Sequence, residues 1–183
     1  WKNMDKIVFE LERITKSAGF MFNSSTKTRQ MLNRYPNIMR ILIYGSRGWI
    51  GQQFIDILKT TNIIYLCGLA RVDNEQLLSE EINIIAPTHI ISFIGRTHGI
   101  IQDKEYPTID YLEQEGKLTE NIRDNLFAPL LLAELAKRKN IHFTYLGTGC
   151  IFKYDDKHPF EKEENGFTED DLPNFFGSSY SIV

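Results

Sequence analysis

Four short apolar runs alternate along this chain with segments of helical periodicity. The first, Ile41-Leu42-Ile43-Tyr44, is long enough for one strand covered on both faces, as parallel strands are. Residues 63–67, 88–94 (THIISFI) and 141–146 (IHFTYL) repeat the pattern. Between them, residues 49–60 (WIGQQFIDILKT) carry apolar positions at helical spacing. Residues 74–86 put Leu77, Leu78, Ile82 and Ile85 on one face before Pro87 closes the helix. Residues 118–139 predict a long helix with Leu126, Leu130, Leu131, Ala133, Leu135 and Ala136 on its buried side. A kink is expected at Pro129, because proline lacks the donor and crowds the preceding turn. Strand and helix alternating at this pitch predict an α/β fold, a doubly wound parallel sheet of the Rossmann type.

Three stretches fall outside that alternation. In residues 1–38, Ile7, Leu11, Ile14 and Ala18 recur at helical spacing and predict an amphipathic helix over 6–17 that ends at Gly19. A polar loop over 23–28 and a short helix over 28–35, ended by Pro36, would follow. No chemistry is visible there, so residues 1–38 read as a helical N-terminal extension and 39–183 as the nucleotide-binding domain. Residues 101–117 are polar, rich in turn residues, and expected to border the substrate pocket. The charged, proline-punctuated stretch 154–176 predicts a loop with little regular structure, after which Gly177-Ser178-Ser179-Tyr180 opens another helix. Beginning at Trp1 and stopping abruptly at Val183, the chain reads as a fragment or processed product.

Composition narrows the function only by exclusion. With 183 residues, a net charge of -3 and 42% hydrophobic residues, nothing favours nucleic acid, and no apolar run approaches a membrane span. Cys67 and Cys150 make neither a disulfide framework nor a metal-ligand spacing, so a reducing cytoplasm is the expected compartment. The four histidines are too scattered for a metal site.

The chemistry-bearing stretch is RILIYGSRGWIG, residues 40–51. Gly45, Gly48 and Gly51 follow a strand and open a helix, the context in which such glycines bind a dinucleotide. Gly45 permits the tight turn, Gly48 lets the backbone approach a pyrophosphate, and Gly51 lets the helix pack on the strand. The cofactor-binding candidates here are Gly45, Ser46, Arg47, Gly48, Trp49, Ile50 and Gly51. A purely structural strand-turn-helix is the alternative. The second strand lacks the acid that bonds the ribose hydroxyls of NAD. Arg71 lies nearby instead, and with Arg47 it can pair with a 2′-phosphate, favouring NADPH over NADH; both arginines as solvated surface residues is the alternative. Gly95-Arg96-Thr97-His98-Gly99 leaves the third strand at the ligand-binding edge. That would lay Phe93, Ile94 and Gly95 against the cofactor, with Thr97 and His98 facing the reacting end, or His98 as a bystander. Asn125 is either a cofactor contact or a satisfied core amide. The fourth strand delivers Gly147-Thr148-Gly149-Cys150 to the same edge.

With Tyr180 included, the chain resembles the extended short-chain dehydrogenases that finish L-rhamnose synthesis. The nearest branch is the nucleotide-rhamnose synthases, 3,5-epimerase/4-reductases of plants and large DNA viruses. The motifs LIYGSRGWIG, TGCIFKYDDKHP and GFTEDDLPNFFGSSYS carry the resemblance in order, over residues 40–183. SFIGRTHG and IDYLEQEGKLTENIRDNL lie nearer the viral members. The resemblance implies conversion of a nucleoside-diphospho-4-keto-6-deoxyglucose to the L-rhamnose nucleotide, with UDP expected, by inversion at C3 and C5 and NADPH reduction at C4. It makes Tyr180 the proton donor of a Tyr-x-x-x-Lys pair, Thr148 its hydroxyl partner and Cys150 the epimerisation acid/base. The pair's lysine would be the next residue after Val183, so an incomplete active site is expected. A small buried thiol is the structural alternative for Cys150. A nucleotide-sugar substrate, a homodimer, an upstream 4,6-dehydratase and a cytoplasmic location (the host's, if viral) are also implied. A reductase fed by a separate epimerase, and a non-catalytic NADP-binding subunit, are the competing readings.

Overall fold

The computed structural model describes residues 39–160 and 165–183. The helices expected over 6–17 and 28–35 lie outside the described residues. Two compact units emerge. One comprises 39–94 with Phe127–Leu146, and the other Gly95–Leu126 with Gly147–Val183.

The first unit holds strands β1 (Arg40–Tyr44), β2 (Ile64–Cys67), β3 (His89–Ser92) and β6 (His142–Tyr145), all parallel, in the order β2-β1-β3-β6. Helices α1 (Trp49–Leu58), α2 (Glu75–Ile85) and α4 (Ala128–Arg138) connect or follow them. Every residue of β1 is buried, because this strand has a neighbour on each side and helices over both faces. Its side chains alternate with the pleat. Leu42 and Tyr44 enter a cluster with Leu78, Ile82 and Ile85 of α2 and Leu131, Leu132, Leu135 and Ala136 of α4. Ile41 and Ile43 enter a second cluster with Ile55 and Leu58 of α1. Burying each such aliphatic side chain contributes about 1.5–3 kcal/mol against chain entropy. The expected doubly wound sheet is therefore present, with helices on both faces. The chain leaves β1 towards β2 but leaves β3 towards β6, which puts the switch point at the carboxyl ends of β1 and β3.

The second unit contains an antiparallel hairpin, β4 (Gly99–Ile101) and β5 (Lys104–Tyr106), a 3-10 turn at Ile109–Tyr111, and the short helices α3 (Leu118–Asn121) and α5 (Ser179–Ile182). Gln102 and Asp103 at the hairpin tip both have positive φ, 47° and 64°. That is the geometry of a tight two-residue turn made without the usual Asn-Gly signal.

Two expectations need correction. The helix predicted over 118–139 is not one α-helix kinked at Pro129. α3 passes into a π-helical turn at Ile122–Phe127, and α4 begins afresh at Ala128 with Pro129 in its first turn, where no donor is required. The wider turn shifts the buried stripe, so Leu126 and Leu130 are 38% and 58% exposed and Leu132 is fully buried. On α2, Leu77 is 46% exposed, and the stripe runs Leu78, Glu81, Ile82, Ile85, with an acid in an apolar position.

Candidate active site

β1 delivers its glycines directly to the switch point. Gly45 has φ +77°, and a Cβ there would stand 2.6 Å from the carbonyl carbon of Phe93 and 2.9 Å from the nitrogen of Ile94. Only glycine satisfies both conditions. The N–H of Gly48 donates to the Gly45 carbonyl at 3.0 Å and closes the turn. A Cβ on Gly51 would strike the Gly45 carbonyl oxygen and come within 3.0 Å of Ser46 Cα, so the helix can approach only with glycine there. Gly48 differs from both. The nearest atom to its imagined Cβ is the Gly45 oxygen at 3.4 Å, so the chain itself leaves space over this backbone.

No side chain caps α1, whereas Asn74 caps α2, its Oδ1 accepting the Leu77 N–H at 3.0 Å. The first-turn N–H groups of an uncapped helix need an outside acceptor, and the positive end of the helix dipole favours an anionic one. An open Gly48 and an uncapped helix fit a dinucleotide pyrophosphate. Ser46 is buried, its carbonyl accepting from the Gln52 amide. Arg47, Trp49 and Ile50 are exposed around the turn.

The loop after β2 carries Arg71, which forks onto Asp73 through Nε (2.9 Å) and Nη2 (2.7 Å) while remaining largely exposed. Beneath this loop lies Glu81, only 2% exposed. Its carboxylate accepts the Tyr44 hydroxyl at 2.7 Å, the Leu69 N–H at 2.7 Å and the Ala70 N–H at 3.2 Å. Burial first, and then the Glu81 charge and hydrogen bond, push the Tyr44 phenol far above its ordinary range, so it acts only as a donor. Sequence reasoning passed over Glu81. Its signal was an acid three residues after Leu78, inside the apolar stripe of α2.

In the second unit, Thr148, Cys150 and Tyr180 are tied by backbone-directed bonds. The Cys150 N–H donates to Thr148 Oγ1 at 3.1 Å, and Ser181 Oγ donates to the Cys150 carbonyl at 2.6 Å. The helix bearing Tyr180 is thereby fixed to the thiol's own residue. Cys150 is a free, exposed thiol, which sets aside the small buried cysteine. Glu113 anchors the start of α5, accepting from Ser179 N (3.1 Å), Ser179 Oγ (2.9 Å) and Tyr180 N (3.2 Å). Partial burial would raise the Glu113 carboxyl, but the bonds from Ser179 and Tyr180 outweigh it and hold it below the usual carboxylate range. Ser178 Oγ accepts the Ser181 N–H and caps the same helix.

Asn125 engages its amide within the chain. Oδ1 accepts the Arg96 N–H at 2.6 Å, and Nδ2 donates to the Arg96 carbonyl at 3.0 Å and to Asn121 Oδ1 at 2.8 Å. That is the satisfied-amide alternative, and it fixes the backbone beside Gly95. Asn121, fully buried, extends the network to Ser179 Oγ at 3.3 Å. Arg96 also meets Asp124 at 3.0 Å. Burial would raise the Asp124 carboxyl, but Arg123 and Arg96 together hold it low. Thr97 Oγ1 lies 3.2 Å from His98 Nδ1, and His98 is exposed. The stretches TGCIFKYDDKHP and GFTEDDLPNFF knit together without regular structure. Asn174 brackets Lys153 through its Oδ1 and Nδ2, and His158 lies between Asp155 and Asp171 while stacking on Phe167. Among the described residues, no three His, Cys, Asp or Glu side chains group as metal ligands, and no helix is long and apolar enough to cross a membrane.

With its first strand running into G-x-x-G-x-x-G at the switch point, the fold is that of the dinucleotide-binding part of the extended short-chain dehydrogenase/reductases. Particular relatives carry the comparison further. The L780 protein of Acanthamoeba polyphaga mimivirus is 51% identical over 145 residues, which are 79% of this chain and 48% of L780. The crystal structure of L780, described as a UDP-rhamnose synthase, matches with a TM-score of 0.70 over the same shares. The Arabidopsis thaliana enzyme RHM1, a trifunctional UDP-glucose 4,6-dehydratase/UDP-4-keto-6-deoxy-D-glucose 3,5-epimerase/UDP-4-keto-L-rhamnose-reductase, is 38% identical over 143 residues, 78% of this chain and 20% of that enzyme. At 18% identity, the dTDP-4-dehydrorhamnose reductase of Bacillus anthracis, solved in complex with NADP, shares the fold with a TM-score of 0.61 over 79% of this chain and 45% of its own. No protein-family model matches the chain. The chain spans about half the length of L780 and less of RHM1. The resemblance read from the motifs is thus met by a viral UDP-rhamnose synthase and a plant epimerase/reductase.

Proposed function

We propose that this chain forms the nucleotide-binding and proton-transfer part of an NADPH-dependent nucleotide-sugar 3,5-epimerase/4-reductase, which converts UDP-4-keto-6-deoxyglucose to UDP-L-rhamnose. The observation that carries the reading is the second unit's constellation, a hydroxyl, an exposed thiol and a phenol on segments bonded to one another, in a chain 51% identical to L780. NADPH supplies hydride when bound. Gly45, Gly48, Gly51 and the uncapped start of α1 would hold its pyrophosphate. With no acid at the end of β2, Arg47 and Arg71 would take the 2′-phosphate.

Tyr180 donates a proton to the C4 oxygen of the sugar as the ketone is reduced, and the Thr148 hydroxyl polarises that oxygen. Cys150 exchanges protons at the carbons beside the ketone. A thiol titrates near pH ~8.5 and is readily tuned, and an exposed one can reach a substrate. Glu113 fixes the direction in which α5 presents Tyr180. An upstream 4,6-dehydratase would supply the 4-keto sugar, an activity that RHM1 carries in one polypeptide. A homodimer in a reducing cytoplasm completes the reading.

The test is incubation of the full-length protein with UDP-4-keto-6-deoxyglucose and NADPH. UDP-L-rhamnose is the expected product. Turnover of only the pre-epimerised 4-keto-rhamnose nucleotide would reduce the protein to a reductase, and cofactor binding without any turnover would leave a non-catalytic subunit.

A further inference from the structure

Glu81 has no part in the mechanism above, yet it is a carboxylate packed into the face of α2 that covers the sheet. All its hydrogen-bond partners belong to two places. One is Tyr44 at the end of β1, and the other is the pair of backbone N–H groups at Leu69 and Ala70, immediately before Arg71. The loop from Gly68 to Asn74 has few other anchors. The Gly68 N–H donates to the Ile43 carbonyl at 2.8 Å, Val72 is buried, and the Asn74 N–H returns to the Arg71 carbonyl at 3.0 Å. A Cβ on Gly68 would collide with the Tyr44 ring, so the loop lies directly on the tyrosine that Glu81 holds.

A buried carboxylate that collects two consecutive backbone N–H groups fixes the path of that backbone, because releasing either group would leave it unpaired away from water. We infer that Glu81 is a positioning residue for cofactor selectivity, holding the Leu69-Ala70 backbone so that Arg71 is presented at the end of β2 to the 2′-phosphate of NADPH. The inference rests on the cofactor reading above. In the NAD-type arrangement, an acid at the end of β2 faces the ribose and bonds its hydroxyls. Here the acid belongs to α2 and points inward, bonded to the loop, which leaves the outward position to a cation. Glu81 makes no bond to the glycine turn, and α1 packs on the other face of the sheet through Ile55 and Leu58. Disturbing Glu81 should therefore loosen recognition of the 2′-phosphate while leaving the pyrophosphate cradle in place.

The experiment measures dissociation constants for NADPH and NADH on the full-length protein and on two variants. Glu81→Gln keeps the side chain's shape but replaces one accepting oxygen with a donor facing other donors. It is expected to lower the NADPH-to-NADH affinity ratio by about tenfold, the scale of a lost charge-assisted bond, with NADH affinity nearly unchanged. Tyr44→Phe keeps the ring that packs on Gly68, removes one donor from Glu81, and should lower the ratio by about threefold. It decides the matter alone if Glu81→Gln does not fold. An unchanged ratio in a folded variant, or equal weakening of both cofactors, would overturn the inference. A wild-type protein without any preference for NADPH would overturn the cofactor reading itself, an outcome visible before either variant is made.

Discussion

The sheet unit and the polar unit use their side chains in opposite ways. Around β1, side chains fill two apolar clusters, and the candidate binding surface is backbone, with Gly48 open and α1 uncapped. In Gly95–Leu126 with Gly147–Val183, few apolar side chains are buried, and the candidate chemistry is carried by side chains. There Glu113, Asn121, Asn125, Ser179 and Ser181 place the segments bearing Thr148, Cys150 and Tyr180 through hydrogen bonds. A shape that holds phosphates can be made by removing side chains. A geometry that moves protons must be made by adding and fixing them.

The sharpest way to separate the roles within the polar unit is a pair of substitutions. Tyr180→Phe in the full-length protein should slow reduction of an already epimerised 4-keto-rhamnose nucleotide by about 10²–10⁴-fold, the usual worth of a positioned general acid. It should leave solvent deuterium exchange into the 4-keto sugar intact. Cys150→Ala should do the reverse. NMR of the exchanged sugar, beside NADPH absorbance, reads both, and exchange at the wild-type rate in Cys150→Ala would make the thiol structural.

Backbone dependence of the sheet unit is broken at Gly45. Gly45→Ala adds a left-handed φ penalty to a collision with the Phe93 backbone. Together these should cost about 2–5 kcal/mol, visible as a lowered denaturation midpoint and lost cofactor binding. Next in size, Arg71→Ala should weaken NADPH more than NADH by about 1.5–3 kcal/mol, if a charged hydrogen bond to the 2′-phosphate is lost. Titration calorimetry with both cofactors checks it, and equal losses would remove Arg71 from that role.

Acid should find the difference between the units with the smallest perturbation. The carboxyls of Glu113, Glu120 and Asp124 are held below their ordinary values in the folded chain. Their contribution is therefore complete above the unfolded values, near pH ~4, and lost as pH falls through the lower folded ones. After correction for the intrinsic pH dependence of exchange, amide hydrogens in Gly95–Leu126 and Gly147–Val183 should lose protection below about pH 4 before those of β1 and β3 do. Simultaneous loss in both would contradict the assignment.

What could be read from the sequence follows the same division. The four parallel strands, α1, α2 and the glycine turn were legible because burial on both faces and helical periodicity leave a strong local mark, and because Gly45 and Gly51 have no substitute. The π-helical turn at Ile122–Phe127 was not, since a single extra residue per turn has no compositional signature. Pro129 drew attention to the wrong place, being harmless in a first turn. The β4–β5 hairpin was hidden because Gln102 and Asp103 adopt positive φ without Asn-Gly. At the site, Thr148, Cys150 and Tyr180 stood out by type and motif. Glu81, Glu113 and Asn121 did not, because their importance lies in partners far along the chain.

The strand order has a consequence for how the molecule acquires its shape. β1 pairs with β2 and β3 across one helix each, but His89 of β3 finds His142 of β6 only after the entire first stretch of the polar unit has been looped out. Closing that long loop comes late and slowly, so a three-stranded intermediate with an open β3 edge should precede the complete sheet. Such an edge, running through Ile90 and Ile91, offers unpaired backbone to any neighbouring chain. During synthesis the interval before β6 emerges is thus the period of greatest aggregation hazard, and α4, made just ahead of β6 and packed against the same face, is the element placed to shorten it.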